Sequence, residues 1–510
     1  MAFDLHIKNI GKLTDAKLRI GQFTVLAGPN NTGKSFVSKI LYSLFDAMNA
    51  NHAEVQMEQL TAPVRDNFLF RRFRWRENAD ESMDTVRESS PLDEMRNKIR
   101  AMNRLATEQS FDDLSEVERF LVAANDIAQS LPDLLPGIRS LLETPPKRLP
   151  RFMLHRAKDS FAELEQSLHT MQKKLADMNA QQFISAGIDH TAESNLIRNF
   201  QISNLARLHG AEMQESKISS DVIGEFDLID GRVKFSIPHS GLQMSETTAL
   251  LWPDGSGGFT EVTWGDDNAR VVWDVTRRYP KVIYLESPVH WKIKNALEYM
   301  HFSDRRRWSA HREHLTGIPG YFYDLASMLR SEFTGEMDFP KPHARLISEH
   351  ILGGKLIISE AGEILFHEMA QKNGQEKAQN FPLSLTSTGI INLGILALLI
   401  ERKILDKGTF VFIDEPEAHL HPAWQVVMAE SLLELAKDGA YVVIATHSID
   451  ILKWLEVHAK KNPEDKENLI ELNQFSSHGV EGGSRDFDEK MARILQELTD
   501  PFAKNFIDGV

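Results

Sequence analysis

Gly28-Pro29-Asn30-Asn31-Thr32-Gly33-Lys34-Ser35 is the stretch on which the rest of the chain depends. It fits the pattern G-x-x-x-x-G-K-[ST] at every fixed position. Phe23-Thr24-Val25-Leu26-Ala27 before it reads as a short buried strand. Phe36-Val37-Ser38-Lys39-Ile40-Leu41 after it reads as the first turns of a helix. That order makes a cradle for a triphosphate, because successive backbone N–H groups and a helix N-terminus face the phosphates. In such a loop Lys34 neutralises the outer phosphates and the Ser35 hydroxyl ligates Mg²⁺. The plainer alternative is a glycine-rich turn opening a helix. The complete sequence of strand, loop and helix speaks against it.

A second segment, far along the chain, supplies what a triphosphate site still needs. Thr409-Phe410-Val411-Phe412-Ile413-Asp414-Glu415 is an apolar strand ending in two acids. Unpaired buried charge is costly, so such an ending calls for a purpose. Asp414 would hold Mg²⁺ through water, and Glu415 would polarise an attacking water as general base. Tyr441-Val442-Val443-Ile444-Ala445-Thr446-His447-Ser448 is another buried strand with a polar end. His447 ends it where a sensor of the γ-phosphate would sit.

The bulk numbers agree with a globular, cofactor-using protein. The 510 residues suggest roughly three lobes. Hydrophobic residues make up 42% and charged residues 26%, enough for a sizeable core. A net charge of −15 argues against nucleic acid being drawn to the whole surface. The chain has no cysteine, which excludes disulfides and cysteine-ligated metal sites. Met1-Ala2-Phe3-Asp4-Leu5-His6 has early charge and no apolar signal core. The apolar run from Gly389 to Ile400 is too short to span a bilayer. The expectation is a cytoplasmic protein with no membrane partner.

Between the two halves of the site the character of the chain changes several times. Residues 3–8 and 16–20 read as strands around a turn at Gly11-Lys12. From about Asn49 to Gly210 the chain is polar and helix-rich. Phe161, Leu164, Leu168, Met171, Leu175 and Met178 are spaced 3, 4, 3, 4, 3, the seam of one helix in a bundle or hairpin. Pro132, Pro136, Pro145, Pro146 and Pro150 divide this region. Basic residues interleave with aromatics at 68–76, 147–152 and Arg305-Arg306-Arg307-Trp308. Such patches bind nucleic acid by phosphate contact and stacking, or else are amphipathic faces paired with the many acids. Residues 224–237 alternate around Asp230-Gly231, and residues 351–366 around Ala361-Gly362, as two hairpins. Lys281-Val282-Ile283-Tyr284-Leu285 reads as a buried strand. A helix is expected over residues 487–498.

These pieces together resemble the ABC-type ATPase superfamily, and most closely its bacterial branch of stand-alone AAA-labelled ATPases. That branch includes the overcoming-lysogenisation-defect nucleases and the ATPase subunits of the Septu and PARIS anti-phage systems. The resemblance is carried by Gly28–Ser35, by Phe412-Ile413-Asp414-Glu415-Pro416-Glu417-Ala418-His419-Leu420-His421-Pro422, and by Ala445-Thr446-His447-Ser448. Transporters usually have Asp where this chain has His421. The resemblance implies a signature segment at Leu385-Thr386-Ser387-Thr388-Gly389, opening a helix over Ile390–Ile400, in a register set by Ser387 or Thr388. It also implies a lid-loop glutamine, for which Gln56 and Gln59 are candidates.

The implied fold is α/β: an ABC-type P-loop ATPase head with a large inserted helical domain and a β-rich lobe. The boundaries expected are 1–46 and 381–460 for the two parts of the head, 47–212 for the helical insertion and 213–285 for a β-rich segment. A helical and hairpin segment then covers 286–380 and a strand-helix tail covers 461–510. The implied function is Mg²⁺-dependent ATP hydrolysis, with ATP between the phosphate loop of one protomer and Ser387-Thr388-Gly389 of another. The role that follows is that of the ATPase subunit of an anti-phage system, working as a homodimer or larger homo-oligomer. No Toprim nuclease domain fits after residue 470, so a nuclease effector is expected on a separate chain. The alternatives are a DNA-repair or chromosome-maintenance ATPase that clamps nucleic acid, and a scaffold that binds ATP with little turnover.

Overall fold

The first hairpin follows from alternation. Phe3, Leu5 and Ile7 are buried while Asp4 is exposed, the period-two pattern of a strand with one face inward. Strand β1 (Phe3–Ile10) pairs antiparallel with β2 (Leu13–Ile20), and Gly11 takes the left-handed φ of +58° that the turn requires. The computed structural model describes residues 3–72, 90–108, 114–143, 151–208, 220–226, 231–237, 248–253, 259–262, 281–286, 289–292, 317–330, 342–360, 362–372, 375–476, 479–482 and 487–507. The chain divides into two units, one of residues 1–49, 192–263 and 278–510, the other of residues 50–191 and 264–277.

The first unit is built on strands that are apolar throughout. β3 (Phe23–Ala27) and β12 (Phe410–Asp414) are buried at every residue. With β8 (Val282–Leu285), β13 (Tyr441–Thr446) and β14 (Ile470–Ser476) they form a parallel array in the order β14-β3-β13-β12-β8. Continuous Val, Ile and Phe runs suit strands buried on both faces. The short β15 (Gly479–Glu481) joins β14 to β2. Beyond β1 the sheet continues antiparallel through β4 (Ser220–Phe226), β5 (Gly231–Ile237), β6 (Thr248–Pro253) and β7 (Phe259–Val262). The hairpin expected around Asp-Gly is the β4–β5 pair. A separate sheet of β9 (Gly354–Ile358), β10 (Ile364–Lys372) and β11 (Gln375–Pro382) contains the second expected hairpin.

Helix α1 (Lys34–Asn49) leaves the phosphate loop and packs on the parallel strands. Phe45 stands edge-on to Phe410 at 5.1 Å and to Phe3 at 5.8 Å. Burying such a ring stabilises the fold by about 1.5–3 kcal/mol.

The second unit contains α2 (His52–Arg65), α3 (Phe68–Arg72), α4 (Pro91–Glu108), α5 (Leu114–Gln129), α6 (Leu135–Glu143) and α7 (Arg151–Asp177). The heptad seam lies on α7, where Phe161, Leu164, Leu168, Met171 and Leu175 are all buried. Met178 falls beyond the helix end and is only half-buried. In α3 the aromatics have cationic covers: Arg156 lies 4.9 Å over Phe68 and Arg96 lies 5.7 Å over Phe70. Residues 73–76, 147–150 and 305–308 of the basic patches lie outside the described residues. The division between the units falls within α8 (Ala180–Phe200), and α9 (Gly320–Arg330) follows in the first unit.

Two expectations need correction. Gln56 and Gln59 are not in a loop but on α2, and Gln56 is buried with its amide nitrogen 4.0 Å from Met178 Sδ. The tail helix runs over Phe487–Ile507, past Leu498, because Pro501 does not end it.

Candidate functional site

Register alone brings the site together. Thr446 on β13 lies level with Ala27 on β3, Ala445 with Asp414 on β12, and Ile413 with Leu285 on β8. The residues that follow these strands therefore emerge along one edge: Gly28, His447, Glu415 and Glu286. In open α/β sheets the carboxyl ends of parallel strands are where ligands bind. Lys34 and Asp414, 380 residues apart in sequence, interact there.

The loop itself is backbone geometry. Gly28 has a φ of +152°, and a Cβ there would lie 1.9 Å from the Phe475 carbonyl oxygen. Only glycine fits so close an approach. Gly33 and Asn31 also have positive φ, at +100° and +67°. Lys34 is 7% exposed, and its Nζ donates to the carbonyls of Gly28 at 2.8 Å and Pro29 at 2.6 Å. Burial lowers its pKa, while Asp414, Glu417 and Glu415 work in the opposite direction. Pro29, Asn30 and Thr32 complete the loop, with the Thr32 hydroxyl donating to the Pro29 carbonyl at 2.9 Å.

Asp414 is the most perturbed acid at this edge. Burial pushes its carboxyl up to about 6, the Ser35 hydroxyl donating to it opposes the rise, and Glu286 adds to it. The Tyr284 hydroxyl lies 3.5 Å from Asp414 Oδ2. Glu286 is itself held, with Lys39 Nζ 3.0 Å from Oε1 and the Tyr321 hydroxyl donating to Oε2. Glu286 was not among the expected site residues, although it follows an apolar strand as Asp414 does.

The segment after β12 is a tight, left-handed turn. Glu415 and His419 have φ of +52° and +62°. The Glu415 N–H donates to Ala445 O at 2.9 Å, which leaves its side chain 53% exposed. Helix α10 (Thr388–Glu401) braces this turn: Asn392 Nδ2 donates to the carbonyls of Pro416 at 3.2 Å and Ala418 at 3.0 Å. A Cβ at Gly389 would lie 2.8 Å from the His419 carbonyl oxygen, so glycine is needed there as well. Ser387 caps α10 by accepting from the Ile390 N–H at 3.3 Å. The helix therefore starts at Thr388, two residues earlier than expected. His421 caps α11 (Pro422–Lys437) through Nδ1, which accepts from the Ala423 N–H at 3.3 Å.

His447 stands against two acids. Its Nδ1 lies 3.4 Å from Glu417 Oε1 and 3.8 Å from Glu415 Oε1. Glu417, 7% exposed, also accepts from the Thr446 hydroxyl at 2.8 Å and the His447 N–H at 2.9 Å. The sequence reading missed Glu417. The signal for it was a third acid two residues after a pair already assigned.

Comparison with known proteins places part of this arrangement. Residues 338–452 match the family model of the AAA ATPase domain. Over 45 residues, 9% of this chain, the sequence is 48% identical to the Old nuclease of Escherichia phage P2. The match spans only 8% of that protein's length. Among solved structures the chain is similar to an SmcHead bound to the C-winged helix domain of ScpA, with 11% identity, a TM-score of 0.34 and coverage of 94% of this chain and 96% of that one. A second is the Smc head domain with an extended coiled coil from Pyrococcus furiosus, with 10% identity, a TM-score of 0.36 and coverage of 97% and 100%.

The parallel array, the phosphate loop and the acid-ended strand beside it make an α/β core of the phosphate-loop kind, and residues 338–452 of the chain are similar to the AAA ATPase domain. Among the described residues no helix is long and apolar enough to cross a membrane.

Proposed function

We propose that this chain binds and hydrolyses ATP with Mg²⁺ at the edge where β3, β13, β12 and β8 end. The observation that carries the reading is the meeting of Lys34 and Ser35 with Asp414. The donor set suits a hard cation, since the Ser35 hydroxyl and the Asp414 carboxylate are paired oxygens at the mouth of the loop. These two residues would hold Mg²⁺, which when bound neutralises charge on the outer phosphates. The loop N–H groups and Lys34 bind those phosphates, Lys34 exchanging its loop carbonyls for phosphate oxygens. Glu415, exposed at the turn, takes the proton from the attacking water. His447 contacts the γ-phosphate and senses its presence.

The second half of the ATP site comes from another copy of the chain. Ser387, Thr388 and Gly389 open α10, and a helix N-terminus with hydroxyls attracts phosphate. Leu385 beside them is 76% exposed, an apolar residue suited to burial between heads. ATP binding closes the pair of heads and hydrolysis reopens it. The role that fits is control of a separate effector, such as a nuclease, in defence against phage. The 45-residue likeness to the Old nuclease of a phage supports the nuclease part of that reading, since that relative is itself named a nuclease.

The test is to purify the protein together with the products of neighbouring genes and weigh the complex with and without ATP. An ATP-dependent doubling of the heads and a co-purifying effector support the proposal. A fully active monomer refutes the shared site. Salt-sensitive, ATP-stimulated DNA binding without an effector would favour a DNA clamp instead.

A further inference from the structure

The buried carboxylate of Glu417 has no place in the reaction described so far. Its Oε1 takes the Thr446 hydroxyl and the His447 N–H and faces His447 Nδ1 at 3.4 Å. Its Oε2 is buried and, among the described groups, has no hydrogen-bond partner. His447 Nδ1 is likewise buried without a partner among them. A carboxylate in this state accepts hydrogen bonds and donates none. A ring nitrogen that faces it must therefore carry the proton to gain anything from the contact.

We propose that Glu417 is a positioning residue that keeps the proton of His447 on Nδ1 and so releases Glu415 for work on water. The inference rests on the ATPase reading of the same site. Two carboxylates lie near one ring nitrogen, Glu417 at 3.4 Å and Glu415 at 3.8 Å. They compete for one N–H. Glu417 wins because it lies nearer the ring and is buried with the lone pairs of Oε2 still unused, whereas the Glu415 side chain is 53% exposed. With Nδ1–H held by Glu417, the lone pairs of Glu415 stay free to accept the proton of water. Nε2, across the ring, is the atom His447 presents to the phosphate. The turn that carries both acids is braced from α10 by Asn392, so the opening of the signature helix and the ring of His447 share one support.

The test uses the full chain with ¹⁵N-labelled histidine, and His447→Asn to identify the ring signals. In the nucleotide-free wild type at neutral pH, Nδ1 of His447 carries a proton. In Glu417→Gln the amide keeps the acceptor for Thr446 but loses the charge, and the Nδ1 proton is lost or moves to Nε2. ATP affinity stays within about threefold of wild type while kcat falls by about 10–100-fold, as for other residues that orient a working histidine. A wild-type His447 without a proton on Nδ1 overturns the proposal, and so does a Glu417→Gln protein with unchanged ring signals and kcat. Should Glu417→Gln not fold, the wild-type spectrum decides alone. Should the wild type hydrolyse no ATP, the proposed function fails, and the ring spectra still judge the Glu417–His447 pair.

Discussion

Lys39 Nζ lies 3.0 Å from Glu286 Oε1, and this ion pair ties the helix leaving the phosphate loop to the strand beside the one ending in Asp414. Both side chains are mostly buried, at 18% and 26% exposure. The cation also lowers the pKa of Asp414, which Glu286 raises. Lys39 therefore sits between two acids and keeps them compatible.

Lys39→Met should leave Glu286 uncompensated and push the Asp414 carboxyl higher than about 6. The expected outcome is weaker Mg²⁺ binding at neutral pH, since a protonated carboxyl is a poor ligand. Loss of the charged hydrogen bond should cost about 1.5–3 kcal/mol of stability. Calorimetric Mg²⁺ titration and urea unfolding measure the two effects separately. Unchanged Mg²⁺ affinity would break the link between Lys39 and Asp414.

Asp46 gives a pH-dependent prediction. Burial raises its carboxyl from 3.8 to about 6, Asp324 adds to the rise, and Arg198 and the Asn195 amide oppose it. A raised acid of this kind contributes stability that is fully present below 3.8 and is lost as pH rises through about 6. The loss amounts to roughly 3 kcal/mol at most. Asp46→Asn can still accept from Asn195, whose amide lies 2.9 Å away. The variant should be more stable than wild type above pH 6 and should converge with it near pH 4, values set by the two ends of that window. Thermal unfolding across this range is the measurement, and a stability gap that does not change with pH would contradict it.

Lys34→Ala and Glu415→Gln should separate binding from turnover. Removing Lys34 takes away the cation buried against Gly28 and Pro29 and should abolish nucleotide binding. Glu415→Gln should keep ATP affinity, lower kcat by about 10²–10⁴-fold, and trap the closed pair of heads. Fluorescent-nucleotide binding beside phosphate release distinguishes the two. Wild-type hydrolysis by Glu415→Gln would remove it as the base.

Asn392 tests the brace between α10 and the turn after β12. Asn392→Ala deletes two donations, to Pro416 O and Ala418 O. The expected cost is about 1–2 kcal/mol, because two part-buried carbonyls lose their partners. A fall in kcat should accompany it, since Glu415 and Glu417 ride on that turn. Equal stability with equal kcat would show that the turn holds itself.

Much of the site was legible because its chemistry is local in the chain. Gly28 to Ser35 needs only its own glycines and the next helix turn. The two acids after Ile413 and the histidine after Thr446 each end an uninterrupted apolar strand, and few sequences put charge there without cause. What failed was geometric. Gln56 and Gln59 are the candidates for the lid-loop glutamine that the resemblance implies, yet α2 continues through both, and helix hydrogen bonding decides that rather than sequence position.

The sequence by itself determined the phosphate loop, the acid-ended strand, the His-ended strand and the helical character of the second unit. Each is a pattern of neighbouring residues. Only the tertiary structure decided that Glu286 stands beside Asp414, that Glu417 faces His447, and that Asn392 holds the turn between them. Those pairings depend on how strands and a helix that are not neighbours in sequence are ordered and set in register. A one-residue slip in register would turn each side chain to the opposite face, and nothing in the local pattern records which register wins.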